Sequence, residues 1–135
     1  MNDVDFVYRR IVMEMKDGLD RAIFLVLLNE HVGKEKSILG ADLVKKVRMY
    51  YPQEGELHRK VRLAINAMRK KGYLICSAPG SKGGYWLAAD QSEVVEFIST
   101  ELEPKIADMS VTKNIMYDAA MRQLGRVYQE KLINA

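Results

Sequence analysis

Apolar residues recur with helical spacing along most of this chain, and only around residues 73–88 do they condense into two short runs flanking a glycine-rich loop. In residues 4–17, Val4, Val7, Tyr8, Ile11, Val12 and Met15 form a helical stripe that Gly18 stops. Val4, Phe6 and Tyr8 also alternate as a strand would; the reading taken is helix. Asp20 is placed to cap a second helix that runs to about Val32 and ends at Gly33. Its apolar residues are nearly continuous from Ala22 to Leu28, which marks it as the central core helix. A polar loop, Lys34–Ser37, follows, and Ile38-Leu39 is expected to add a short third strand to the later hairpin.

Gly40 precedes another helix, Ala41 to about Tyr50, with Leu43, Val44 and Val47 inward. After a turn at Pro52–Gly55 comes the helix Glu56–Lys71, whose stripe is Leu57, Val61, Ala64, Ile65 and Met68. Arg59, Arg62, Asn66, Arg69 and Lys70 fall away from that stripe, and Gly72 just past Lys70-Lys71 is a C-terminal signal. Tyr73–Cys76 and Tyr85–Ala88 read as the two strands of a hairpin. The loop Ser77–Gly84 between them is too rich in Gly, Pro and Ser to continue either strand and longer than a tight two-residue turn. Asp90 is a cap for a helix over Glu93–Glu103, and Pro104 should start a new helix or kink the old one. Residues 105–131 carry Ile106, Met109, Met116, Ala120, Leu124 and Val127 on one side. The pattern predicts an α+β, mainly α fold.

Charge changes the picture more than composition does. At 48% hydrophobic and 29% charged, 135 residues suit one ordinary domain with a modest extension. The net charge is only +3, yet the segment Lys45–Lys82 holds ten basic residues against Glu54 and Glu56. That segment therefore carries +8 and leaves −5 for the rest. Such asymmetry is expected where one face meets a polyanion, although a basic helix face can also simply be solvated.

Other classes of chemistry find little support. No apolar run approaches the roughly 18 residues of a membrane span. The acidic N-terminus argues against a secretory signal, and the single Cys76 cannot form an internal disulfide, so a cytoplasmic location is expected. His31 and His58 lack spaced metal partners, and Gly80–Gly84 lacks the spacing and terminal Lys-Ser/Thr of a phosphate loop. Glu101 and Glu103 sit on a charged helix. The chain reads as a non-enzyme without cofactor or metal.

The order helix, short strand, helix, turn, helix, hairpin, with RKVRLAINAMRKKGYLICS and the return strand GGYWLA, resembles the winged helix-turn-helix family of DNA-binding domains. The resemblance covers residues 19–90 and implies a three-helix core with a β-hairpin wing. Residues 1–18 become a helical N-terminal extension and 91–135 a helical C-terminal extension. The turn Tyr51–Gly55 departs from the family in being longer than in a compact helix-turn-helix. By this resemblance Glu56–Lys71 is the recognition helix and Pro79–Gly84 the wing tip. Arg59 and Arg62, with Asn66 and His58, are the candidates for base edges in a major groove. Lys60, Arg69, Lys70 and Lys71, with Ser81 and Lys82 on the wing, are the candidates for phosphates.

The implied function is sequence-specific binding of double-stranded DNA in transcriptional regulation and nucleoid association; the C-terminal helices are expected to pair two copies as a homodimer, the alternative being an intramolecular cap over the core helix. Two alternatives stay open: a winged-helix protein–protein module, or a phage or plasmid replication-associated DNA-binding protein. Binding of single strands by Tyr73, Tyr85 and Trp86 would require those rings to be exposed.

Overall fold

A computed structural model describes residues 3–53, 55–81 and 83–134, with residues 3 and 126–134 described by backbone alone. The elements are α1 (Asp3–Glu14), α2 (Leu19–Glu30), a 3-10 turn (Lys34–Lys36), α3 (Gly40–Tyr50), α4 (Leu57–Lys70), β1 (Ile75–Ala78), β2 (Gly84–Leu87), α5 (Gln91–Phe97), a π-helical turn (Ile98–Leu102) and α6 (Glu103–Asn134). The chain is thus mainly helical with one two-stranded antiparallel sheet, and it divides into two compact units, Met1–Phe97 and Ile98–Ala135.

In the first unit α2 is the hub. Its Ile23, Phe24 and Leu27 are completely buried, which explains why apolar residues run almost without a break there: neighbours cover the helix on nearly every side. Tyr8 and Val12 of α1, Leu43, Val44 and Val47 of α3, and Leu57, Val61, Ile65 and Met68 of α4 complete the core with Ile75 and Leu87. The four α4 side chains, each worth about 1.5–3 kcal/mol when fully buried, fix which face of that helix is left outside. The ambiguity in residues 4–17 is resolved as helix. Tyr8 sets its ring edge-on to Phe24, at 5.8 Å between centroids, and donates its hydroxyl to the Ala88 carbonyl at 2.6 Å.

Two expectations need correction. Asp20 is not the cap of α2; Gly18 holds that position and Asp20 lies in the first turn, where its charge still faces the positive end of the helix. Ile38 does not form a third strand with Leu39. It makes a single antiparallel bridge to Tyr85, with N–O distances of 2.9 and 2.8 Å, because α3 begins two residues later. Val32 adds a parallel bridge to Leu87.

The hairpin pairs Ile75 with Leu87 and Ala78 with Gly84, so the strands reach further into the loop than Cys76 and Tyr85 suggested. Alternation then divides its side chains. Ile75 and Leu87 face the main core, whereas Cys76 and Trp86 form a second cluster with Ala88 and Phe97. That second cluster is why the first unit extends through α5, beyond residue 90. Asp90 caps α5 as expected, accepting from the Glu93 amide at 3.0 Å. Glu93 in turn accepts from the Ala89 amide at 3.2 Å, one residue before the cap.

In the second unit Pro104 stands in the first turn of α6, directly after the π-helical turn, and having no N–H it donates no helical bond back to that turn. None of the described side chains of α6 is buried. Ile106, Met109, Met116, Tyr117 and Leu124 fall on one side of the helix and are all more than half exposed.

Candidate nucleic-acid interface

The outward face of α4 follows from its inward one. With Leu57, Val61, Ile65 and Met68 held in the core, residues half a turn away must point out. Arg59, Arg62, Asn66 and Lys70, spaced by three, four and four, form that outer stripe and are exposed. None of these four has a hydrogen-bond or ion-pair partner among the described residues. Three cationic heads are therefore available to a ligand at no cost in broken ion pairs.

The other sequence-derived candidates distribute around this stripe. His58 is exposed at the start of α4 and lines an open groove of about 390 Å³ with Ala41, Val44, Lys45, Arg48 and Met49 of α3. Lys60 is exposed about a quarter turn from Arg59. Lys71, also exposed, lies toward α1, in a second groove of about 360 Å³ with Ile11, Glu14, Met15 and Tyr73. Ser81 is exposed at the hairpin tip, after Gly80 in the left-handed region. Lys82 lies outside the described residues.

Arg69 leaves the set. Its Nε donates to the Ile75 carbonyl at 2.7 Å and its Nη2 to the Ser77 hydroxyl at 2.9 Å. The guanidinium also stacks over the Phe97 ring, 4.8 Å from the centroid. Desolvation lowers its pKa from the ordinary arginine value. One residue before Lys70, the helix has rotated by about 100° and turned Arg69 toward β1. It fastens the hairpin to α4 rather than reaching for phosphate.

Glu93 does the corresponding work on the other strand. It accepts from the Trp86 indole N–H at 3.0 Å and from the Lys34 amide at 3.3 Å. Trp86 is 3% exposed, and Tyr73 and Tyr85 are half-buried. Tyr73 sets its ring 5.7 Å from Phe24. These rings serve packing, which removes the observation that single-strand stacking needed.

Lys45 and Arg48 belong to the same positively charged segment of the sequence. The packing of α3 against α4 brings them beside His58. Lys46, between them in sequence, instead pairs with Glu30 at 2.8 Å and approaches the His31 ring. Adjacent lysines therefore have opposite fates, and only the helical phase of α3, read together with its neighbour α2, distinguishes them.

Among the described residues no group of three or more His, Cys, Asp or Glu could hold a metal ion, and no helix is long and apolar enough to cross a membrane. Comparisons with protein-family models, curated proteins and solved structures returned no match.

Proposed function

We propose that the first unit is a winged helix-turn-helix domain that binds duplex DNA in a sequence-specific way and serves as a transcriptional regulator. In this reading α4 enters the major groove and the tip between β1 and β2 lies beside it on the backbone. The observation that carries the proposal is the outer stripe of α4: Arg59, Arg62, Asn66 and Lys70 exposed together, opposite a fully buried face. Guanidinium groups suit bidentate bonding to guanine, and an exposed amide suits adenine. Lys45 and Arg48 extend the positive surface onto α3, where a phosphate strand flanking the groove would run. The apolar side of α6 would pair two copies and set two α4 helices on two half-sites.

Titration of labelled duplex DNA at several salt concentrations tests this reading. Phosphate contacts make the logarithm of affinity fall linearly with the logarithm of salt, by about 0.9 per neutralised phosphate. Arg62→Ala should reduce discrimination at one base pair by about 1–3 kcal/mol. A salt-independent affinity, or unchanged sequence preference in Arg62→Ala, would overturn it.

A further inference from the structure

One residue on the outer face of α4 is out of character. Leu63 is 54% exposed, four residues after Arg59 and three before Asn66. Ala67, one turn on, is exposed too, so an apolar ridge runs along a face otherwise made of Arg, Asn and Lys. This ridge has no packing role: the core takes Val61 and Ile65, which lie on the opposite side.

A protein partner is a poor match for it. A stable interface needs about 800 Å² per partner, with charged residues depleted from its centre. Here a single leucine and an alanine are hemmed in by Arg59, Arg62, Asn66 and Lys70. The major groove of DNA offers the complementary pattern at this scale. Its walls are phosphates, its floor carries hydrogen-bonding edges, and its one apolar group is the C5-methyl of thymine.

We propose that Leu63 is a specificity-determining residue that packs on a thymine methyl in the target duplex. This rests on the DNA-binding reading above and adds a named feature of the site to it. Asn66, one turn from Leu63, is placed to read a neighbouring adenine, so the centre of the recognised sequence contains A·T pairs.

The experiment selects duplexes from a random pool with the full-length chain. Each thymine of the selected duplex is then replaced singly by deoxyuridine, which removes only the methyl group. The wild-type chain should bind about fourfold more weakly when one particular thymine is replaced, the worth of one buried methyl. Leu63→Ala should bind the thymine and deoxyuridine duplexes equally at that position and keep the wild-type salt dependence. The variant will fold, because Leu63 is largely exposed and alanine favours helix. Indifference of the wild-type chain to every replacement overturns this assignment alone, as does an unchanged penalty in Leu63→Ala. Failure of the wild-type chain to enrich any duplex overturns the DNA-binding reading and this one with it.

Discussion

Replacing Arg69 by alanine separates a structural guanidinium from a DNA-contacting one. The wild-type side chain donates two hydrogen bonds, to the Ile75 carbonyl at 2.7 Å and the Ser77 hydroxyl at 2.9 Å, and stacks on Phe97. Hydrogen bonds involving a charged group contribute about 1.5–3 kcal/mol each, and a partly desolvated cation–π stack about 1–2 kcal/mol. Desolvation of a guanidinium with no carboxylate partner among the described residues offsets several kcal/mol of that gain. The net loss expected in Arg69→Ala is about 2–3 kcal/mol. For a unit of this size each kcal/mol lowers Tm by about 4–8 °C, so the melting transition should fall by about 10–20 °C. Arg69→Lys should recover only part of this, because one ammonium cannot reproduce the planar fork. Circular-dichroism melts measure the stability. Duplex titrations over a salt series, below the variant's transition, measure the charge contact. The clamp leaves the salt slope at its wild-type value. A phosphate contact would do the reverse, keeping Tm within a degree or two and reducing the slope by about 0.9. That second pattern would refute the structural assignment.

Three further outcomes follow from the same geometry. Gly84→Ala should lower stability by about 2 kcal/mol or more, because Gly84 has φ +136° and an added Cβ would run into the Ile38 backbone carbonyl; a Tm within 2 °C of wild type refutes this. Burial pushes the Tyr8 hydroxyl to about 12 and the Cys76 thiol to about 11, from 10.0 and 9.0. Both protons are held more tightly folded than unfolded, so stability is complete below about pH 9 and declines as pH rises toward 11 and 12, by up to about 1.4 kcal/mol per pH unit for each group. Denaturant titrations at pH 8 and 10.5 check the decline, which Cys76→Ala should make shallower; equal stability at the two pH values counts against it. Replacing Lys45 and Arg48 together by alanine should leave Tm unchanged and reduce the salt slope for duplex binding by about 1.8, while an unaltered slope would exclude the α3 groove from the phosphate path.

Much of the fold was legible because it rests on local rules. The stripe of Leu57, Val61, Ile65 and Met68 announced α4, and Asp90 announced the start of α5. Gly and Pro marked the hairpin loop, although the strands run further into it, since pairing between Ala78 and Gly84 is a property of two strands together. Ile38 was seen to belong beside the hairpin, but its reach of a single bridge depends on where α3 begins.

For the candidate site, side-chain type and helical phase were enough to place Arg59, Arg62, Asn66 and Lys70 on one outward face. They were not enough for Arg69, which shares their chemistry and points at β1. Nor could they separate Lys45 from Lys46, or show that the Trp86 indole is occupied by Glu93. The order of helices, the single hairpin and the concentration of positive charge in residues 45–82 belong to the sequence by itself, because periodicity and charge are properties of neighbouring residues. Which long-range partners the other polar groups find was decided only by tertiary packing, which brings the Arg69 guanidinium to Phe97, the Lys34 amide to Glu93 and the Tyr8 hydroxyl to Ala88. Those partners lie 28, 59 and 80 positions apart along the chain, beyond the reach of any local pattern.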